Sequence, residues 1–349
     1  MGENKMRIFT DPHLGLVRKA HTTKASRTAL SKAIHENAHK AAGEHSPKAT
    51  VCVGDLFDTF SNSERTILDS ATIAILCDVV LAGNHDSLNV AGSVSSLDVL
   101  DELLEDTTFI SNPNFASHHV EYGELDGMQL AFVPHHASQE LFDAAIDSMD
   151  YTSGIASYRA VFLHCNYENS MTEGSETSLN MTKAQAEKLL TICDYIFLGH
   201  EHQPRELLDG RLVICGCTHP TSFSDISDKY YYDLTKTELV KTSVWSMADG
   251  YAEIDYDGEM FQSVPSTASF IDIKGQITAE KGADLAEYIR ECWEESDALM
   301  IRNNVSIVSD DNQVIESVDF DKLPSVIEEQ LKGGPLEETY AHYRGLVKC

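Results

Sequence analysis

Five short polar motifs, each closing an apolar run, carry the residue types from which a pair of divalent metal ions is held. They are Ile8-Phe9-Thr10-Asp11-Pro12-His13, Val51-Cys52-Val53-Gly54-Asp55-Leu56-Phe57-Asp58, Val80-Leu81-Ala82-Gly83-Asn84-His85-Asp86, Val161-Phe162-Leu163-His164 and Ile196-Phe197-Leu198-Gly199-His200-Glu201-His202. Carboxylate, imidazole and amide donors suit first-row divalent ions, and the absence of cysteine from the polar ends of these motifs argues against a structural zinc site. A carboxylate can bridge two ions about 3.5–4 Å apart, and such a pair clamps the attacking and leaving oxygens of a phosphoryl transfer. It also lowers the pKa of water toward neutrality. Gly54, Gly83 and Gly199 each precede a candidate ligand, where they permit a tight turn and close backbone approach. Taken singly, each motif also reads as a hydrogen-bonded turn, and His164 as a core histidine. Five in this order, each after an apolar run, point to a metal centre.

The runs that end in these motifs read as buried strands. Residues 6–10, 49–53, 77–82, 128–133, 160–163, 195–198 and 212–215 are short and rich in Val, Ile, Leu and Phe, as strands buried on both faces should be. Between the first two, residues 24–43 place Leu30, Ala33, Ile34, Asn37, Ala38 and Ala41 at helical spacing. Residues 182–193 form a second helical pattern with Thr182 as its cap. Alternating strands and helices imply an α/β layered sheet whose ligands lie at the carboxyl ends of the strands. A hairpin is expected over residues 250–260 around Asp257-Gly258.

Through these motifs the chain resembles the calcineurin-like metallophosphoesterases, whose pattern is D-x-H, G-D-x-x-D, G-N-H-D/E, a lone H and G-H-x-H. All five are present across about residues 6–220. Within that superfamily it looks most like the SbcD-type nucleases of DNA repair and recombination, including their phage counterparts. The resemblance implies a metallophosphoesterase β-sandwich flanked by helices, with a small C-terminal α+β capping domain. It implies that Asp11, His13 and His202 hold one ion, that Asn84, His164 and His200 hold the other, and that Asp55 bridges them. It makes His85 a catalytic general acid or charge stabiliser oriented by Asp86, and Asp58 a support for the motif residues. It further implies manganese as the metal, DNA as substrate, a homodimer, and an SbcC-like ATPase as partner.

Composition bounds these expectations. The chain has 349 residues and a net charge of −30, which favours a rival reading as a phosphatase or phosphodiesterase acting on nucleotides or phosphoproteins. The charge is unevenly spread: residues 1–48 hold nine Lys/Arg against four Asp/Glu, residues 49–262 nine against 35, and residues 263–349 eight against 17. The basic stretch follows the first motif directly, with Arg18, Lys19, Lys24, Arg27 and Lys32. It reads either as a solvated helix face or as contacts to DNA phosphates; Arg18, Lys19, Lys24 and Arg27 are the DNA-binding candidates. A third reading, a binding module that keeps the fold without the chemistry, is opposed by the intact ligand set. Eight cysteines without a CxxC pair read as small buried hydrophobes in a reducing cytoplasm. No apolar run is long enough for a membrane span, and the first strand pattern leaves no room for a signal peptide. The small-residue stretch 262–269 is the expected linker, dividing a catalytic domain over residues 1–262 from a capping domain and tail over 263–349. Within the latter, a strand at 270–274, helix at 279–296, strand at 299–308 and helix at 322–331 are expected, closed by Gly333-Gly334-Pro335 and a helical tail.

Overall fold

The computed structural model describes residues 5–45, 47–87, 93–112, 116–125, 127–151, 158–169, 178–258, 263–264, 266–308 and 314–315. The chain divides into two compact units, Met1–Tyr251 and Ala252–Cys349. In the first, the elements run β1 (Met6–Phe9), α1 (Lys24–Gly43), β2 (Ala49–Cys52), α2 (Glu64–Ala74), β3 (Val79–Leu81), α3 (Ser96–Leu103), β4 (Thr108–Ile110), β5 (Glu121–Leu125), β6 (Met128–Val133) and α4 (Gln139–Ser148). They continue with β7 (Tyr158–His164), β8 (Asn166–Tyr167), β9 (Asn180–Met181), α5 (Lys183–Leu189), β10 (Cys193–Gly199), β11 (Arg205–Leu207), β12 (Leu212–Ile214), β13 (Lys229–Leu234), β14 (Leu239–Trp245) and α6 (Met247–Gly250).

Two six-stranded sheets result, ordered β14-β13-β1-β2-β3-β4 and β11-β12-β10-β7-β6-β5. Their inner faces share one core. Ile8, Val51, Val79 and Leu81 from the first sheet meet Leu130, Phe132, Phe162, Phe197 and Val213 from the second. The alternate residues of the second sheet, Ala131, Val133, Val161, Leu163, Ile196 and Leu198, face outward and are covered by Phe142, Ala145 and Ile146 of α4 and by Ala186 and Leu189 of α5. Burial on both faces explains why these strands read as unbroken apolar runs. Phe162 stacks between Phe132 and Phe197, with ring centroids 5.1 and 5.4 Å away. Such a buried aromatic costs about 3–5 kcal/mol to truncate, and this one lies two residues before His164, so it fixes the strand that delivers that ligand. The helices begin where their caps dictate. Thr23, Ser95 and Thr182 each close a capping box at α1, α3 and α5, and Ser63 and Ser138 cap α2 and α4.

Register levels the motif ends. β1 and β2 are parallel with Phe9 opposite Cys52, β2 and β3 are parallel, and β7 and β10 are parallel with His164 opposite Gly199. All five motifs therefore emerge at carboxyl strand ends.

The second unit contains β15 (Tyr251–Tyr256), β16 (Phe270–Thr278), α7 (Gly282–Glu295), β17 (Met300–Val308) and β18 (Val314–Ile315), in a sheet ordered β15-β16-β17-β18. β16, α7 and β17 form a βαβ unit with the strands parallel. Its core is Ile271, Ile273, Leu285, Tyr288, Cys292 and Ile301. Two expectations shift here. The divide falls ahead of the 262–269 stretch, because β15 belongs to the second unit's sheet. For the same reason the hairpin expected over 250–260 is not closed within that span: β15's neighbour is β16, which starts at Phe270. The helix expected at 322–331, the Gly333-Gly334-Pro335 stop and the tail lie outside the described residues. Among the described residues, no helix is long and apolar enough to cross a membrane, and the seven cysteines are all buried and free.

Candidate metal centre

The first two motifs are zipped together beyond their strands. Asp11 N donates to Gly54 O (3.0 Å), His13 N to Asp55 O (3.1 Å) and Leu14 N to Leu56 O (2.9 Å). The Thr10 hydroxyl lies within hydrogen-bond reach of Val53 O (2.9 Å) and Asp11 Oδ2 (2.5 Å). To turn their side chains onto one point, Asp11, His13, Asp55 and His200 all adopt left-handed backbone, at φ +51°, +46°, +47° and +90°. Non-glycine residues in this region persist only where surrounding bonds over-determine them, and they cluster at functional sites.

The glycines are required by the same crowding. Gly54 has φ +100°, and a Cβ there would fall on Nδ1 of His164. A Cβ on Gly83 would fall on the Asp55 carboxylate, and one on Gly199 on the Val53 carbonyl. At these last two positions close approach rather than the turn excludes a side chain.

All seven candidate ligands converge. One ligand set comprises Asp11, His13 and His202, with His13 Nε2 2.9 Å from His202 Nε2 and 3.8 Å from Asp11 Oδ1. The other comprises Asp55, His164 and His200. There Asn84 Oδ1 lies 3.1 Å from His164 Nε2 and 2.8 Å from His200 Nδ1. Asp55 Oδ2 stands between the sets, 3.3 Å from His164 Nε2 and 3.9 Å from His13 Nε2. Donor atoms this close, on buried carboxylates and imidazoles, are spaced as neighbouring ligands of one ion are, given metal–donor lengths of about 2.0–2.2 Å.

The charges of the site suit a cation held between the two sets. Burial lowers the pKa of His164, but the Asp55 carboxylate beside it outweighs burial and pushes it up to about 10. Burial likewise raises Asp55, and the charge and hydrogen bond of His164 overcome this and hold it well below the usual carboxylate range. The Asp55 carboxylate and the His164 imidazolium thus stabilise each other's charged forms. Burial drives His200 down to about 4, so it is a neutral donor.

Behind the ligands, several groups set their orientation. His164 Nδ1 donates to Val53 O (2.9 Å), and His200 Nε2 meets Ser178 Oγ at 2.9 Å. His202 Nδ1 donates to Asp225 Oδ2 at 3.0 Å. Asp225 also accepts from Thr221 N, Thr221 Oγ1 and Ser222 N, and despite burial its pKa is lowered, chiefly by the His202 bond and the Lys229 charge. The fully buried Lys229 donates to His202 O (2.8 Å) and Asp225 O (2.6 Å). Ser178, Asp225 and Lys229 belong to no motif, and their sequence spacing from the ligands carries no signal. His202, Cys217 and Asp225 form a further group that could hold an ion. Burial, however, pushes the Cys217 thiol up to about 12, and the Asp225 oxygens are already engaged. Carboxylates that fix a ligating imidazole in this way contribute roughly 10–100-fold to metal affinity. Asp225→Asn is therefore expected to weaken binding at the His202 position by that factor in a calorimetric titration; unchanged affinity would show that the ring is held by other means.

His85 sits where substrate could reach it, its side chain 41% exposed. Its Nδ1 donates to Asp58 O (2.6 Å), which leaves Nε2 free of hydrogen bonds among the described residues and 4.0 Å from Asp55 Oδ2. The expected role of Asp86 needs correction. Its carboxylate is buried and accepts from Leu56 N, Phe57 N and Gly83 N, so it ties the second motif to the third and does not orient His85. That task falls to the Asp58 carbonyl. The Asp58 carboxylate lies 3.4 Å from His13 Nδ1.

Of the basic stretch, Arg18 Nε donates to Thr221 O at 3.1 Å, which links the loop after the first motif to the one that holds His202. Lys19 is exposed, and Lys24 and Arg27 lie on α1. His136 has a structural role: its ring accepts from His119 N and donates to Pro134 O. Burial lowers His136 and His219 to about 4. A histidine with a folded pKa below its unfolded ~6.5 binds its proton more readily when unfolded. Its contribution is thus fully present above pH 6.5 and is lost as pH falls toward 4, by up to about 3 kcal/mol for His219. In chelator-treated protein, the melting temperature is expected to fall over this window, and less steeply in His219→Asn. Equal slopes would contradict a neutral buried His219.

A sequence model of the calcineurin-like phosphoesterases matches residues 5–204, more than half of the chain and all five motifs. The protein belongs to that family. No curated protein sequence matches it. Fold, family and ligand geometry together define a metal-dependent hydrolase with two clustered metal-binding sites, as a two-metal catalytic centre requires.

Proposed function

We propose that the protein is a two-metal phosphodiesterase acting on DNA, an SbcD-like exonuclease or endonuclease of recombination or repair. The observation that carries the phosphodiesterase reading is the convergence of six further donor residues about the Asp55 carboxylate, with His85 on the exposed side. When bound, two divalent ions, manganese by this reading, would polarise the phosphate and lower the pKa of water. The chain's own residues do the rest. Asp11, His13 and His202 would hold one ion and Asn84, His164 and His200 the other, with Asp55 shared. The Asp58 carbonyl keeps the His85 proton on Nδ1 in the neutral ring. Nε2 is then turned outward, where in the protonated ring it can donate to a phosphoryl oxygen or to the departing alkoxide. DNA is favoured by the one basic stretch of an acidic chain, which begins five residues after His13. A second copy of the chain and an SbcC-like ATPase are the partners this reading expects, in the cytoplasm.

The net charge of −30 favours the rival, a phosphatase or phosphodiesterase of nucleotides or phosphoproteins. A manganese-dependent assay on labelled DNA beside a p-nitrophenyl phosphodiester separates them. Cleavage of both supports the nuclease. Turnover of the small ester without any of DNA supports the rival, and inactivity on both would mean a binding module that has kept the fold.

A further inference from the structure

We propose that a cleft between α1 and α2, opening beside the first metal-binding motif, is the track for the phosphate backbone of a single DNA strand; this rests on the nuclease reading above. The cleft has a volume of about 740 Å³. Leu14, Gly15 and Leu16, the residues that directly follow the ligand His13, line one part of it. Its walls carry Lys24, Arg27, Lys32 and His35 from α1 and Arg65 from α2.

The α1 residues are spaced as one helical face. Lys24, Arg27, Thr28, Ser31, Lys32 and His35 recur at intervals of three and four, so their side chains stand in a row along the groove. From 24 to 35 that row is about 16 Å long at 1.5 Å per residue, roughly the length of five nucleotides of one strand at the 3.4 Å duplex rise. Cation spacing along the helix therefore suits a chain of phosphates better than one compact anion.

The balance of charge within the cleft is the second argument. Lys24 and Arg27 have no side-chain ion pair or hydrogen bond among the described residues, and Arg27 is half-buried. An Arg whose stem is partly buried and whose guanidinium has no partner is free to bind an anion. Lys32 has only an exposed pair with Glu36 at 3.3 Å, and Arg65 one with Asp69 at 2.9 Å; both are weak enough to be exchanged for phosphate. Asp69 is the one acidic residue in the lining, in a chain that carries 56 Asp and Glu against 26 Lys and Arg. Thr28 and Ser31 add neutral donors between the cations. The structure thereby selects differently from sequence proximity: Arg18 is engaged by Thr221 O and Lys19 does not line the cleft, whereas Lys32, His35 and Arg65 do.

The test uses the full chain with Lys24, Arg27 and Lys32 all changed to Gln. Binding of a labelled single-stranded oligonucleotide is measured against salt, with calcium in place of manganese to suppress cutting. Three lost contacts at about 0.7 each should reduce the slope of log K on log salt by about 2. In manganese, the ratio of DNA cleavage to p-nitrophenyl phosphodiester cleavage should fall at least about tenfold. Lys24→Glu alone should move both readouts the same way, and an acidic residue in the first turn of α1 favours the helix, so its effect is not attributable to unfolding. An unchanged slope in the triple variant, with the parent chain binding and cutting DNA, would overturn the cleft and leave the nuclease reading standing. Failure of the parent chain to bind the oligonucleotide at all would overturn both. Equal losses on DNA and on the small ester would also overturn the cleft, since the residues would then be acting on the metal centre.

Discussion

Asp55→Asn is expected to empty both metal positions and to reduce phosphodiester turnover by about 10³-fold or more, the several kcal/mol of charge stabilisation that a metal pair supplies. The reason lies in where the carboxylate stands. Oδ2 is 3.3 Å from His164 Nε2 in one ligand set and 3.9 Å from His13 Nε2 in the other, while Oδ1 accepts from His85 N at 2.9 Å. A neutral amide in that place offers one oxygen and one N–H₂ group and cannot balance two cations. Removing the charge also removes the partner that keeps His164 above its ordinary pKa, so the buried ring returns to neutral. Elemental analysis reads the stoichiometry without reference to activity. If Asp55→Asn retains two tightly held ions, some other residue bridges them.

The second large effect is expected at His85. His85→Asn should retain both ions and lose roughly 10²–10⁴ in turnover, the usual worth of a positioned acid or charge stabiliser. Its ring is half-exposed and held at Nδ1 by the Asp58 carbonyl at 2.6 Å, with no part in the two ligand sets assigned above. The assignment is open to a direct challenge, because His13, Asp55 and His85 also lie close enough together to hold an ion. Metal content therefore decides it: loss of metal in proportion to loss of activity would make His85 a ligand.

The site was legible in the sequence to the extent that strand ends carry it. Each of these ligands follows an apolar run buried on both faces, and parallel strands bring such ends to one edge, which places Asp11, Asp55 and Asn84 at the edge of one sheet and His164 and His200 at that of the other. The support behind them was hidden. Asp225 reaches His202 from beyond the β11–β12 pair, Ser178 meets His200 from a separate loop, and Lys229 opens a strand of tyrosines; contacts of this kind arise from tertiary packing and leave no periodicity. Asp86 misled for a related reason. Adjacency to His85 suggested a partner, but on a turn neighbouring side chains diverge, and this one was drawn inward by three backbone N–H groups. The basic stretch shows the same limit: charge counted along the chain found α1 but not Arg65, which α2 brings to the same groove. The boundary between the units falls ahead of the Pro- and Ser-containing stretch because strand pairing, not composition, decides to which unit β15 belongs.

Two metal ions are expected to flank Asp55. A crystal structure of the manganese-loaded protein, with anomalous scattering recorded at the manganese edge, tests this most directly. Two peaks about 3.5–4 Å apart, one on each side of the Asp55 carboxylate, with Asp11, His13 and His202 around the first and Asn84, His164 and His200 around the second, are the expected result. A single peak at Asp55, or a peak among His202, Cys217 and Asp225 with none beside Asp55, would contradict it.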